Sequence, residues 1–207
     1  SNFSNAIFSN FDLCLSSSKQ SFNFLKKLNV KKVKFLGNLK FSQAEKGNLF
    51  SNKRMDNYFK SKKTWCASST HQSEELICGL AHLELKKKTK NLLTIIIPRH
   101  VERSNDIKNN LENLNLKVHL DEPIKTIAPN TDIYLVNSYG KTKSFYKKIK
   151  NVFLGGSLIN HGGQNPLEAV RYGCKILHGP NIDNFKEIYQ FLKKIKVSNK
   201  ILNQNDL

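Results

Sequence analysis

Residues suited to binding a phosphate gather in the run from Gly155 to Glu168, which reads GGSLINHGGQNPLE. An apolar strand ends at the glycine pair, a glycine-rich loop follows, and Asn165-Pro166 is typical of a helix start. Free backbone N–H groups and the positive end of a helix dipole would suit a phosphate, and Glu168 would accept hydrogen bonds from a ribose or sugar hydroxyl. A tight loop before a helix is the structural alternative. The residues assigned to the nucleotide site here are Gly155, Gly156, Ser157, His161, Gly162, Gly163, Asn165 and Glu168.

A second motif, Pro98-Arg99-His100, follows an apolar strand. The planar guanidinium of Arg99 can clamp a phosphate or a carboxylate with two parallel hydrogen bonds. Arg99 and His100 are therefore assigned to the same nucleotide site. Arg103 either joins them or pairs with Glu102 or another surface carboxylate.

The third motif starts a helix after another strand. Its pattern favours Thr70 or Ser73 as the helix cap, with Glu74 and Glu75 complementing the helix dipole. His71 is either a ligand contact or a loop histidine. A catalytic Ser-His-Asp triad is not supported, because no nucleophile elbow of the G-x-S-x-G type occurs. The possible sugar contacts are Ser69, Thr70, His71, Ser138 and Gly140.

Regular elements must position these motifs. Apolar runs that predict strands alternate with patterns that predict helices, which is typical of an α/β fold with a doubly wound parallel sheet. Ligands bind such sheets outside the carboxyl ends of the strands, so the motifs should line one crevice. The predicted strands are 64–68, 92–97, 117–120, 132–136, 152–155 and 175–178, and the predicted helices are 74–85, 105–114, 144–150, 166–172 and 185–195.

The sequence before this alternation predicts a separate, incomplete piece. Strands at 11–17 and 33–36 flank a helix at 19–28, which is too little core to fold alone. We therefore expect residues 1–41 to be the last strand-helix-strand segment of a truncated amino-terminal domain. Residues 42–53 are expected to be a linker, and residues 54–207, beginning near a helix at 55–62, a Rossmann-like domain. No secretory leader is expected at the start.

The charge is strongly positive. The 207 residues include 34 Lys and Arg against 16 Asp and Glu, for a formal charge of +18, and only four are arginines. The charge either reflects a composition bias of the whole proteome or favours anionic lipid headgroups and phosphate. Nucleic-acid binding is disfavoured, because base and phosphate recognition normally relies on arginine.

Composition excludes other classes. Recurrent apolar runs argue against disorder, and none approaches the ~20 residues of a membrane-spanning helix. The cysteines are widely spaced, without a CxxC pair, so we expect buried thiols in a reducing compartment and no disulfide or zinc site. These cysteines are Cys14, Cys66, Cys78 and Cys174.

In their order and spacing, four segments resemble the carboxyl-terminal half of 3-deoxy-D-manno-octulosonic acid (Kdo) transferases. The segments are Gly37-Asn38-Leu39-Lys40-Phe41, Ser69-Thr70-His71 with Glu74-Glu75, Arg99-His100 with Glu102-Arg103, and residues 153–168. The resemblance extends over about residues 10–195. It implies the carboxyl-terminal, Rossmann-like domain of a two-domain glycosyltransferase of the GT-B type.

The resemblance also implies a reaction. Such enzymes transfer Kdo from CMP-Kdo to the lipid A precursor lipid IVA during lipopolysaccharide biosynthesis, with inversion and with no cofactor or required metal. The carboxyl-terminal domain holds the cytidine nucleotide, while the amino-terminal domain supplies the acceptor groove and a catalytic glutamate base. We therefore expect this chain to bind donor without turnover by itself, and the full protein to act at the cytoplasmic face of the bacterial inner membrane, with no nucleic-acid partner.

Several positions depart from the family pattern, among them Gln72-Ser73, where a glycine usually precedes the acidic pair, and Asn137-Ser138, where an aspartate-threonine pair is common. Val101 replaces a proline, Ser104 stands at a usual aromatic position, and Lys141 stands where the family has a glutamate. These departures concern the donor's contacts rather than the fold. The alternative function is a noncatalytic nucleotide- or anion-binding module that docks on a membrane or partner through its lysines.

Overall fold

The computed structural model describes residues 2–28, 30–37, 53–122 and 126–207. The chain divides into two compact units, Ser1–Gly47 and Asn48–Leu207. The linker expected at 42–53 lies, except for its last residue, outside the described residues. The same is true of residues 38–41 of the first family segment.

The first unit contains the expected strand-helix-strand segment and one unexpected helix. The two strands pair in parallel. Ser18 caps the second helix, its Oγ accepting a hydrogen bond of 3.0 Å from the Ser21 N–H, yet no side chain of that helix is buried. The elements are α1 (Asn2–Phe8), β1 (Cys14–Ser16), α2 (Lys19–Lys27) and β2 (Val33–Phe35).

The second unit contains a seven-stranded sheet in the order β5-β6-β4-β3-β7-β8-β9. Every strand pairing in it is parallel, so the predicted α/β fold is confirmed. The elements are α3 (Lys53–Lys60), β3 (Lys63–Thr70), α4 (Glu74–Lys88), β4 (Leu92–Pro98), α5 (Ser104–Glu112), β5 (Val118–Leu120), β6 (Ile133–Leu135), α6 (Thr142–Lys148), β7 (Asn151–Leu154), α7 (Leu167–Arg171), β8 (Lys175–His178), α8 (Lys186–Lys194) and β9 (Ser198–Lys200).

Helices cover both faces of this sheet. Side chains of α3, α6, α7 and α8 form one core with the sheet, and those of α4 and α5 form the other. Successive strand residues alternate between the two cores: Ile95 packs into the first and Ile96 into the second. Burial on both faces explains why β4 is apolar except at Thr94.

The strand order reverses beside β3. From β3 the chain moves through β4 towards β5 and β6 on one side, whereas β7, β8 and β9 lie on the other. Such a reversal opens a crevice at the carboxyl ends of the two strands that flank it, here β3 and β7. β3 ends irregularly, with a register shift between Ser68 and Thr70 and a φ of +55° at Ser69.

The cysteines are free thiols. Cys66, Cys78 and Cys174 are buried as predicted, but Cys14 in the small first unit is only partly buried. Burial raises the pKa of the Cys66 thiol, because the charged thiolate loses its hydration. No helix in the described ranges is long and apolar enough to cross a membrane.

Candidate functional site

Basic side chains from three segments meet at the crevice between β3 and β7. The His71 ring lies 4.2 Å from that of His161 and 5.9 Å from that of His100, measured between ring centroids. The Arg99 N–H donates to the Thr70 carbonyl oxygen at 2.9 Å, which ties the ends of β3 and β4 together. The structure thus brings together motifs that are almost a hundred residues apart in sequence.

The electrostatics of this cluster are positive. Burial, together with the nearby His161, His100, Arg99 and Arg103, lowers the pKa of His71 to about 4. His71 is therefore neutral at pH 7. His71 Nε2 also lies 3.3 Å from the Gln164 side-chain amide. An anion placed among these groups would meet a positive field and hydrogen-bond donors.

The backbone of the glycine loop corrects one prediction. Its N–H groups were expected to be free for a phosphate, but those of Gly156, Ser157 and Leu158 donate to the carboxylate of Glu74 at 2.7–3.1 Å. The His71 N–H donates to the same carboxylate at 2.9 Å. Glu74 therefore does more than complement the α4 dipole, because it takes up the donors expected for a ligand.

The start of the loop is packed against β3. A Cβ atom at Gly155 would lie 2.4 Å from the Ser69 carbonyl oxygen, so only glycine fits. The Ser157 hydroxyl donates to the Leu154 carbonyl at 2.5 Å and accepts from the Gly179 N–H at 2.8 Å. Ser157, predicted to bind the nucleotide, is fully buried and instead shapes the loop.

The second half of the loop leads into α7. The Gly163 N–H donates to the Gly156 carbonyl at 2.8 Å, and the Gly162 carbonyl accepts from the Asn184 N–H at 3.1 Å. Asn165 Oδ1 accepts from the Leu167 N–H at 3.1 Å, but Pro166 rather than the predicted Asn165 holds the N-cap position of α7. However, α7 has only five residues and is shorter than the helix predicted at 166–172. Its dipole is therefore smaller than the dipole of the predicted helix.

Glu168 lies in the first turn of α7 and is partly exposed, with its Oε1 3.6 Å from Lys143 Nζ of α6. Its predicted hydrogen bond to a ribose or sugar hydroxyl stays a prediction. Gly140 precedes α6 with a φ of +84°, and its assignment as a sugar contact also stays a prediction.

Two predicted sugar contacts carry unsatisfied hydroxyls. Among the described residues, Thr70 Oγ1 and Ser138 Oγ are buried without a hydrogen-bond partner. Buried hydroxyls are normally paired, so these two point to a ligand or water at the ends of β3 and β6.

Ser73 holds the N-cap position of α4 but makes no side-chain cap bond, so the prediction that the Thr70 or Ser73 side chain caps the helix is wrong.

Arg103 binds a buried carboxylate. Its guanidinium donates to both oxygens of Glu75, at 3.1 and 3.3 Å, and Glu75 is buried on α4. The expected partners were Glu102 or a surface carboxylate, but Glu102 instead accepts from the exposed Tyr139 hydroxyl at 2.9 Å. The bidentate pair fixes the loop after β4 to the start of α4.

Lys141, the basic residue at a usually acidic position, is turned towards Asp121. Its Nζ donates to Asp121 Oδ2 at 2.7 Å, and the Tyr134 hydroxyl donates to Oδ1 at 2.6 Å. Asp121 is buried just after β5. Sequence reasoning missed Asp121, although the unusual lysine signalled that an acid should lie nearby.

No group of three or more histidine, cysteine or acidic residues within the described ranges could hold a metal ion.

Comparison with known proteins finds similarity to Kdo transferases and to a bifunctional glycosyltransferase/methyltransferase. The chain is 33% identical over 132 residues to the 3-deoxy-D-manno-octulosonic acid transferase of Haemophilus influenzae, covering 64% of this chain and 31% of that protein. It is 27% identical over 198 residues to the Aquifex aeolicus transferase of the same name, covering 95% and 52%. A bifunctional glycosyltransferase/methyltransferase of Fusobacterium nucleatum is 30% identical over 177 residues, covering 83% and 27%.

A solved structure is also similar. The C-terminal CMP-Kdo binding domain of WaaA from Acinetobacter baumannii superposes with a TM-score of 0.66 and 28% sequence identity, covering 71% of this chain and 77% of that one. No protein-family profile matches the chain. The chain spans from about a quarter to about half of the length of the three curated relatives.

Proposed function

Because the chain is related to the carboxyl-terminal half of Kdo transferases, we propose that its second unit is the donor-binding domain of such a transferase. The observation that carries this proposal is the convergence of His71, His100, His161 and Arg99 at the β3–β7 crevice. The similar Acinetobacter baumannii structure is itself described as a CMP-Kdo binding domain.

The chemistry of CMP-Kdo fits this crevice. The donor carries a phosphate and a sugar carboxylate, two anions that suit one arginine and three histidines. When the bond to the sugar breaks, CMP leaves as a phosphate monoester with additional negative charge. Fixed donors and positive groups stabilise that charge more in the transition state than in the ground state. Arg99 and the histidines are placed to do so.

The neutral sugar groups have their own candidates. The unpaired Thr70 and Ser138 hydroxyls supply hydrogen bonds to sugar oxygens. Glu168 accepts hydrogen bonds from the ribose hydroxyls, in exchange for its long contact with Lys143. Different parts of the donor are thus bound by side chains at the ends of β3, β4 and β6 and at the start of α7.

We also propose an activity for the complete protein of which this chain would form a part. It transfers Kdo to lipid IVA at the cytoplasmic face of the inner membrane, and the formal charge of +18 favours that anionic surface. The general base that deprotonates the acceptor hydroxyl lies in an amino-terminal domain. No metal or cofactor takes part. This chain alone binds donor without transferring it, and measurable Kdo transfer by the chain would contradict this.

Calorimetric titration with CMP at about 0.15 M salt tests the proposal, since exposed charges more than ~8 Å apart are then largely screened. We expect saturable binding that is selective for CMP over AMP. Arg99→Ala should weaken it by about tenfold or more, the value of a lost charge-assisted hydrogen bond, and Glu168→Ala by less. Lys175→Ala is the matched control, because Lys175 begins β8 at the opposite edge of the sheet.

Binding that ignores the base, survives Arg99→Ala and disappears with salt would reject the donor site. The chain would then be a noncatalytic anion-binding module. In that case Arg99→Ala should weaken binding no more than Lys175→Ala does, because only net charge matters.

A further inference from the structure

Glu74 makes an unusual set of contacts for a buried carboxylate. It is the first residue of α4 and is fully buried. Oε2 accepts from the N–H groups of His71 and Gly156 at 2.9 and 2.7 Å, and Oε1 accepts from those of Ser157 and Leu158 at 3.1 and 3.0 Å. All four recorded partners are backbone donors, so both oxygens act as acceptors.

The three loop donors are consecutive. Successive backbone N–H groups that converge in this way form a concave anion nest, which in phosphate-binding loops receives the ligand. Here the nest of residues 156–158 is filled by a carboxylate that lies 82 residues earlier in the sequence than Gly156. The loop therefore carries its own anion before any donor arrives.

The position of this anion is the crevice itself. His71 follows β3 and Gly156 follows β7, and one carboxylate oxygen binds the N–H groups of both. His161 extends from the same loop, and its ring lies 4.2 Å from the His71 ring between centroids, tilted by 40°. A Cβ at Gly156 would lie 3.1 Å from the His161 ring and 3.3 Å from the His71 ring, so the loop backbone lies directly against both.

We propose that Glu74 is a positioning residue whose carboxylate fills the nest of loop 156–158 and so holds His161 against His71. The inference rests on the proposed donor site and assigns its anion recognition to side chains. Since the loop amides of residues 156–158 are occupied, Arg99 and the histidines bind the donor phosphate. Without the carboxylate the loop would lose three hydrogen bonds. His161 would then no longer be held against the His71 ring.

Glu74→Ala in the full chain tests this, with Glu75→Ala as the matched control. Both glutamates are buried in the first turn of α4, but Glu75 binds the Arg103 side chain rather than the loop. We expect Glu74→Ala to weaken CMP binding by about tenfold or more. Added formate, a carboxylate small enough for the vacated space, should restore it, whereas Glu75→Ala should not respond to formate.

Amide hydrogen exchange of residues 156–158 provides a readout without CMP. Exchange should accelerate in Glu74→Ala and slow again with formate. Glu74→Gln covers the case in which the alanine variant does not fold. Its NH2 group would face N–H donors while the side chain keeps its size, so CMP binding should weaken and these amides should exchange faster.

The outcomes separate the two proposals. If the unmodified chain does not bind CMP, the donor site fails, while faster exchange in the variants would still support the role of Glu74 in the loop. If the unmodified chain binds CMP and both Glu74 variants bind it equally well, the positioning role is overturned. Loss of binding in Glu74→Ala without any rescue by formate, together with normal loop exchange, would also overturn it.

Discussion

A polar network around His82 and the cluster of histidines around His71 lie at opposite edges of the main sheet, where its strands begin and where they end. They differ in whether their polar groups have hydrogen-bond partners. At the amino-terminal edge, His82 Nδ1 lies 2.9 Å from Thr94 Oγ1, and His82 Nε2 lies 3.4 Å from Asp132 Oδ1. Lys86 Nζ and the Lys117 N–H also donate to Asp132, at 2.5 and 3.0 Å. The polar groups of this cluster satisfy one another.

At the carboxyl-terminal edge, His71 has positive groups instead of a carboxylate beside its ring, and the nearby Thr70 hydroxyl has no partner. Burial lowers the pKa of both histidines, but Asp132 opposes the shift at His82, whereas cations reinforce it at His71. The same residue types thus build a closed structural network at one edge and the proposed anion-binding surface at the other.

The largest effect is expected from opening the closed network. Asp132→Ala leaves the buried His82 and the Lys117 N–H without their acceptor, and we expect the free energy of unfolding to fall by about 3 kcal/mol. Urea unfolding measures the loss. CMP affinity, measured where the variant is folded, should stay within about twofold, since 1.4 kcal/mol corresponds to tenfold.

Lys86→Ala is the control for this variant. The Lys86 side chain is 53% exposed, so its ion pair is worth about 1 kcal/mol or less. An equal loss in both variants would show that the charge of the pair, rather than the buried hydrogen bonds of Asp132, stabilises this edge.

A matched pair of threonines gives effects of opposite sign. Thr70 and Thr94 are both fully buried, on the neighbouring strands β3 and β4. Thr94→Val breaks the contact with His82 and should destabilise the protein by about 1 kcal/mol, whereas Thr70→Val removes an unpaired hydroxyl and should be neutral or stabilising. Only Thr70→Val should weaken CMP binding, by a few-fold. Destabilisation by Thr70→Val would mean that its hydroxyl is already satisfied.

The smallest effect concerns proton binding by His71. Its folded pKa of about 4 lies below the ordinary value of 6.5, so the unfolded chain takes up this proton first as the pH falls. The contribution of His71 to stability is therefore intact above about pH 6.5 and is lost progressively towards pH 4. A His71→Gln variant should show a flatter loss of stability over that window in urea unfolding.

Bound CMP should raise the pKa of His71 by about one pH unit, because an anion favours the charged imidazolium. The pKa of His82 should not move, since it already faces a carboxylate and lies at the other edge. NMR titration of the histidine rings measures both. Equal movement of the two would contradict a ligand placed at the carboxyl-terminal edge.

Much of the fold could be predicted from the sequence. The buried strands β4 and β7 are largely apolar, because a parallel sheet covered on both faces favours apolar side chains. β9 could not be found this way, since Ser198-Asn199-Lys200 is polar and pairs only at the sheet edge. Helix α1 was missed as well. The predicted domain boundaries stay predictions, because residues 38–52 lie outside the residues that the structure describes.

The candidate site was only partly predictable. The rule that ligands bind at the carboxyl ends of parallel strands placed His71, Arg99 and His161 near one another, and the structure brings them together. The same reasoning was wrong about the loop amides and the cap of α4. The error about the loop amides arose because sequence patterns at a helix start are local, whereas three of the partners of Glu74 lie more than eighty residues away.

The sequence by itself thus determined the alternation of strands and helices and the edge at which polar residues gather, because periodicity and strand ends are local properties. Only the tertiary structure decided which of two adjacent glutamates binds the loop and which binds Arg103. It also decided that Lys141 meets Asp121 and that the Thr70 hydroxyl stays unpaired. Such choices depend on which distant groups the β3–β7 reversal places within hydrogen-bond distance, and spacing along the chain does not encode those distances.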